Sequence, residues 1–216
     1  MNSLPQIGLR AGFVAIAIAL WFWTQRLISR KAPTGNRLGD RLHDWSAPLH
    51  RWLTAHPPAA NGTLIVTSLF VDAFGLYVFG LSLFGPTLQP FVALLILFGL
   101  RQLCQATCTL PSPPGVIWRD PGFPSLFVTY GTSNDFFFSG HTAISVLGAL
   151  QLAHHAPPWL AVAGAVIAVL EAGTVIVLRA HYTMDVFAAP FAAWGADTIA
   201  RHLAPSLDGW LGRVLG

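Results

Sequence analysis

Charge is what this chain has least of. Asp, Glu, Lys and Arg make up 10% of its 216 residues, with one glutamate (Glu171) and one lysine (Lys31). An average soluble domain carries roughly 25% charged residues. Hydrophobic residues reach 54%, more than a soluble core hides, so the expected solvent is a bilayer. Cysteine is also scarce. Cys104 and Cys108 are the only two; four apart in a helical pattern, they make no disulfide framework and find no further metal ligands nearby. No metal and no cofactor is expected. The net charge of +3 does not point to nucleic acid, because the basic residues gather in one loop beside a membrane span, where they set orientation or touch anionic lipid.

A cleavage site is missing as well. "MNSLPQIGLRAGFVAIAIALWFW" starts like a signal peptide, but "TQRLISRK" rather than an A-x-A-like site follows it, and it is read as a retained first span.

What is present is apolar sequence in six blocks, near residues 8–25, 62–84, 87–105, 138–155, 159–178 and 182–203. Each is long enough, or nearly so, for about 30 Å of hydrocarbon. The expected fold is all-α: one polytopic membrane domain, residues 1–216, with six transmembrane helices and the catalytic helices within about 87–203. A short interfacial amphipathic segment, residues 36–58, alternates charges with Leu and Trp and is interrupted at Pro48. The Pro-, Gly- and Ser-rich connection 106–137 reads as an ordered loop over one face.

Six spans put the connections 26–61, 106–137 and 179–181 on one face. Arg101, His141, His181 and Asp185 then converge there, although forty residues separate the two histidines. His181 and Asp185 in "RAHYTMD" stand at i and i+4 on one helix face. A carboxylate there can fix the imidazole tautomer and leave the other nitrogen basic, as general base or nucleophile; a structural hydrogen bond at the interface is the plainer reading. In "DFFFSGHTA", Ser139 is a candidate N-cap and Gly140 allows close approach to a backbone whose free N–H groups favour phosphate. His141 in that first turn is placed to protonate a leaving oxygen, against the alternative of an interfacial histidine beside a capping serine. Together the clusters point to phosphoryl transfer through a phosphohistidine that needs no metal.

"SGHT" followed by "AHYTMDV" resembles the sphingomyelin synthase family and, more widely, the lipid phosphate phosphatases. "RQLCQATCTLPSPPG" and "NDFFFSGHT" resemble two further motifs of that family, and the resemblance covers roughly residues 40–200. It implies a six-helix fold, His181 as nucleophile, Asp185 as its orienting group and His141 as the acid. The phosphatases' lysine-to-Arg-Pro signature is absent, and Val175 stands where they place an arginine, which favours the synthase branch.

The expected activity is transfer of a phospho-headgroup from a glycerophospholipid donor to a lipid alcohol, ceramide or diacylglycerol. The alternative is a phosphatase- or phospholipase C-like hydrolase with the same residues, and a non-catalytic transporter or scaffold is the rival of another class. Substrate-binding candidates are Arg101 and Arg179 for phosphate, Asp135 beside one of them or His141, Ser139, Gly140 and Tyr182. Tyr130, Phe136, Phe138 and Tyr182 could face a quaternary ammonium or form an ordinary aromatic belt. Expected partners are membrane lipids and no nucleic acid, with a homo-oligomer left open.

Glu171, Asp72 and Asp197 are ionisable groups inside spans, functional suspects by default, with the plainer reading that they are protonated or hydrogen-bonded between helices. His154 and His155 are read as solvated. Nine of the twelve basic residues fall on the site's face, so the positive-inside rule makes it cytoplasmic. The resembling family generally places the site exoplasmically, and the sequence leaves the side open. The compact architecture suggests a bacterial inner-membrane protein.

Overall fold

The computed structural model describes residues 4–30, 38–130 and 136–215. Among them are eight helices: α1 (Leu4–Ser29), α2 (Arg41–Trp45), α3 (Ala47–Ala55), α4 (Pro57–Phe84), α5 (Gln89–Thr107), α6 (Gly140–His155), α7 (Pro158–Val177) and α8 (Thr183–Leu215). The all-α expectation holds. Four stretches are long and apolar enough to cross a membrane: Leu4–Leu27, Pro57–Phe84, Gln89–Thr107 and Pro158–Val177. The protein is a membrane protein.

Six spans were expected, and the other two blocks do form helices, but ones of a different character. At 1.5 Å per residue the 16 residues of α6 cover about 24 Å, short of the hydrocarbon thickness. α8 is long enough at 33 residues, yet it contains Pro190, Pro205 and the buried Asp185 and Asp197.

α6 lies at the centre, packed against α7, α8 and α4, while α5 packs on α8 and α4 and α1 lies outside against α4 and α5. Small residues set these spacings. Ala189, Ala193, Ala196, Ala200 and Ala204 form a stripe along α8, each 2% exposed or less. Without a strong apolar driving force between helices in lipid, such stripes let backbones approach and gain dispersion contacts. On α6, a Cβ at Gly148 would collide with the Phe74 ring of α4.

The interior carboxylates on α4, α7 and the far half of α8 are paired. Asp197 accepts from Gln89 and Gln151 (2.8 Å each), with His154 at 3.1 Å and Arg201 at 3.2 Å, which ties α5, α6 and α8 together at the end opposite the histidines. The same end holds Asp208, which accepts from Thr87 and the Leu88 N–H. Glu171 on α7 accepts from Thr67 on α4. Asp72 takes the N–H groups of Leu126 and Phe127 and so anchors the long loop onto α4. The interhelical reading holds for Glu171 and Asp197, while Asp72 bonds to the loop and not to a helix; His154, read as solvated, is engaged with Asp197.

The interfacial segment resolves into α2 and α3, its residues 36 and 37 lying outside the described ones. The break falls at Ser46, and Pro48 sits in the first turn of α3, where a missing N–H and fixed φ suit a helix start.

Candidate active site

The turn that carries His181 is built from the end of α7. Arg179 N–H bonds to Ile176 O and Ala180 N–H to Val175 O, both at 2.9 Å, the paired closure of a Schellman motif. Arg179 takes the left-handed position at φ 55°, which normally goes to glycine because a Cβ costs about 1 kcal/mol or more there. Its Nη1 donates to the Pro114 carbonyl at 2.8 Å, fastening the turn to the long loop. The Ile117 N–H to Leu178 O bond at 2.8 Å does the same from the backbone.

His181 follows, 6% exposed. Its Nδ1 lies 2.8 Å from the Phe136 carbonyl. A carbonyl only accepts, so Nδ1 carries the proton and Nε2 keeps its lone pair. Asp185 Oδ2 sits 3.7 Å from Nδ1, beyond hydrogen-bond reach, and accepts instead from the Tyr182 N–H at 2.9 Å. The tautomer set by a carboxylate in the sequence reading is thus set here by a backbone oxygen, with Asp185 as a nearby negative charge. The reason is local: residues 136–139 run beside the turn, and Ser139 N–H bonds to Asp185 O at 3.1 Å.

From the other side, α6 begins with Ser139 as N-cap, its hydroxyl accepting from the Thr142 N–H at 3.3 Å. Gly140 lies under the Arg101 guanidinium: a Cβ there would be 3.1 Å from Nε. Arg101 Nε donates to the Phe138 carbonyl at 3.1 Å. His141 stands edge-on to Trp118, ring centroids 4.9 Å apart, and its Nε2 is buried with no hydrogen-bond partner among the described residues.

These groups share one cavity of about 40 Å³, lined among others by Arg101, Gly140, His141, His181, Trp118 and Phe136. One water needs about 10–15 Å³ of such space, so the cavity has room for a small polar group. Of the four residues expected to converge, Arg101, His141 and His181 line this cavity, with Gly140 beside them, and Asp185 does not. Ser139, Arg179, Tyr182 and Asp185 do not line it: Ser139 caps, Arg179 holds the loop, Tyr182 packs on the His43 ring (centroids 5.8 Å apart), and Asp185 binds the turn's backbone. Asp135 lies outside the described residues. Of the aromatics named for an ammonium, Phe136 lines the cavity and Tyr130, Phe138 and Tyr182 do not; Trp21, Trp118 and Phe127 take their places.

Three residues were missed. Asp40 Oδ2 accepts the Thr183 N–H at 2.6 Å and its Oδ1 the Thr183 hydroxyl at 2.5 Å, while Oδ1 also takes the N–H groups of Leu42 and His43. One carboxylate caps both α2 and α8. His43 Nε2 donates to the His181 carbonyl at 2.9 Å, and His50 Nδ1 to the Val177 carbonyl at 2.8 Å. The amphipathic segment thus clamps the turn on either side of His181. Burial, with Arg179, His43 and Arg51 nearby, lowers the His50 pKa despite the Val177 bond, which favours the neutral ring.

Burial tends to raise the Asp40 carboxyl, but the Thr183 hydrogen bonds and His43 outweigh it and leave the pKa below its ordinary value. The clamp's ionic contribution is therefore complete above about pH 4 and fades as pH falls through the lowered value. Asp40→Ala is expected to destabilise the protein by about 1 kcal/mol at neutral pH, as lost caps do. Thermal unfolding in detergent should show that gap shrinking toward about pH 3. A gap that widens on acidification would contradict the assignment.

An all-helical membrane protein with two histidines and an arginine on one buried cavity at a helix N-terminus is equipped for chemistry on an anionic group at the membrane interface. The AtPDCT1/2 family matches residues 42–202, about three quarters of the chain, and the chain belongs to that family. This corrects the sphingomyelin synthase assignment suggested by the motifs. The motifs that carried that resemblance lie within the same residues, and the match over 42–202 assigns them to AtPDCT1/2. The AtPDCT family is one of phosphocholine transferases acting on lipids, which makes this protein a lipid phosphotransferase. It is a plant family, so the bacterial inner membrane finds no support. No curated protein and no solved structure matches the chain.

Proposed function

We propose that the protein moves phosphocholine from phosphatidylcholine to diacylglycerol through a phosphohistidine on His181, the activity that gives its family its name. The observation that carries this reading is the cavity shared by His181, with a hydrogen-bonded Nδ1, and His141, with an unpartnered Nε2. His181 Nε2 attacks phosphorus, and the bond from phosphorus to the glycerol oxygen breaks. His141 gives its proton to that oxygen, and diacylglycerol leaves. A second diacylglycerol hydroxyl then loses its proton to His141 and attacks phosphorus, which breaks the P–N bond and restores His181. Leaving group and acceptor belong to one chemical class, so a single histidine serves as acid in one half-reaction and base in the other.

Arg101 and the first N–H groups of α6 hold the phosphate oxygens as negative charge builds. Trp21, Trp118, Phe127 and Phe136 offer ring faces to the trimethylammonium. α6 and α8 complete a six-helix transmembrane bundle; the outward Phe187, Phe191 and Trp194 of α8, all more than half exposed, support this. No segment suggests ceramide in preference to diacylglycerol.

The test is purified protein in liposomes with headgroup-labelled phosphatidylcholine and an isotopically distinct diacylglycerol. The expected product is labelled phosphatidylcholine carrying the acceptor's glycerol. Acceptor-independent release of soluble phosphocholine would instead mean that water resolves the intermediate and that the protein is a hydrolase.

A further inference from the structure

Beside the histidine cavity runs a second, larger space of about 310 Å³ between α1, α4 and α5, lined only by apolar and aromatic side chains. Trp21, Phe98 and Phe127 belong to both linings, so one wall passes from the polar cavity into the apolar groove. We infer that this groove holds an acyl chain of the phosphatidylcholine whose phosphate lies at Arg101.

Direction and opening both support that occupant. Along α5 the groove runs from Phe98, one turn from Arg101, to Phe91. Seven residues of helix cover roughly 10 Å, directed from mid-helix, beside the site, toward the opposite, N-terminal end of α5. That is the course of a lipid tail whose headgroup sits at the interface. Ile18, Leu95 and Leu126 on its rim are 36%, 44% and 60% exposed, so it opens sideways between two candidate spans rather than into water. An apolar groove of this kind gains nothing from water and fills with hydrocarbon in a bilayer. The donor occupies it rather than the acceptor, because only the donor brings a phosphate to the arginine at the groove's head.

The inference rests on the lipid-transferase reading, and its test is independent of turnover. Phosphatidylcholine bearing a photoreactive diazirine in one acyl chain is incorporated into liposomes with the protein, irradiated, and the adducts are mapped by mass spectrometry. Label is expected on α1 around residues 17–22 and on α5 around residues 91–98, in the wild type and in His181→Ala alike. Leu95→Trp, and separately Ile18→Trp from the facing wall, should cut that label by about tenfold through lost chain contact. Both variants should elute and unfold as the wild type does, so that lost label reports the groove and not the fold. Label confined to other helices, or undiminished by both tryptophans, would overturn the inference even if transfer proceeds. Absence of transfer from every donor with this labelling pattern intact would sink the transferase reading and leave the groove standing. Label absent from both walls in a protein that runs as a dimer on gel filtration would show that the groove is an interface and end the proposal.

Discussion

His181→Ala is expected to abolish headgroup transfer, with a loss on the order of 10⁴-fold or more, as follows when a covalent nucleophile is removed. The expectation comes from hydrogen-bond chemistry. The Phe136 carbonyl can only accept, so Nδ1 carries the proton and the lone pair is on Nε2, in a ring that lines the cavity. Alanine removes that lone pair and leaves Phe136 O without its donor. Because the turn is held by His43, Asp40 and the Schellman bonds as well, the variant should still fold. Gel filtration and thermal unfolding near the wild type separate lost chemistry from lost structure. The matching positive result is an acid-labile phosphocholine adduct on wild-type His181 after rapid quench. Transfer surviving within about tenfold in a folded His181→Ala protein would exclude a phosphohistidine at this residue.

For His141 the loss should depend on the leaving group. A general acid contributes roughly 10²–10⁴-fold when the departing oxygen is a poor leaving group. His141→Ala should therefore lose about that much with phosphatidylcholine. A nitrophenyl phosphocholine ester, whose phenolate leaves without protonation, should recover the first half-reaction. The second half-reaction still needs a base for the incoming hydroxyl. The variant should thus release one burst of nitrophenol, close to one per active site, and then stall with the adduct on His181. Stopped-flow absorbance reads the burst and intact-protein mass spectrometry reads the adduct. Equal losses with both donors and no burst would assign His141 a packing role against Trp118.

The meeting of the two histidines with Arg101 was legible because counting apolar blocks is a statement about length, and length decides which end of a helix reaches which face. The tautomer of His181 was not legible. The i,i+4 spacing put a carboxylate beside the ring, but the loop carbonyl of Phe136 comes closer, 2.8 Å against 3.7 Å. Arg179 looked like a phosphate ligand because it is a cation two residues from a histidine. Its left-handed backbone instead points the guanidinium at Pro114. The family also had to be corrected, since short signatures shared by related phosphotransferases report a common chemistry and not a common substrate.

By itself the sequence determined an all-helical membrane protein with two histidines and an arginine gathered on one face. Both conclusions follow from short-range rules: how much apolar surface a chain carries, and how far each residue adds along a helix. Only the tertiary structure decided which groups serve the cavity and which serve the scaffold. Asp40 and Thr183 are 143 positions apart, as the Trp21 wall is remote from Phe98 and Phe127, and no periodicity relates such residues. Their meeting depends on how the whole bundle packs, because a hydrogen bond or a shared wall requires atoms within a few ångströms and the chain alone does not specify that.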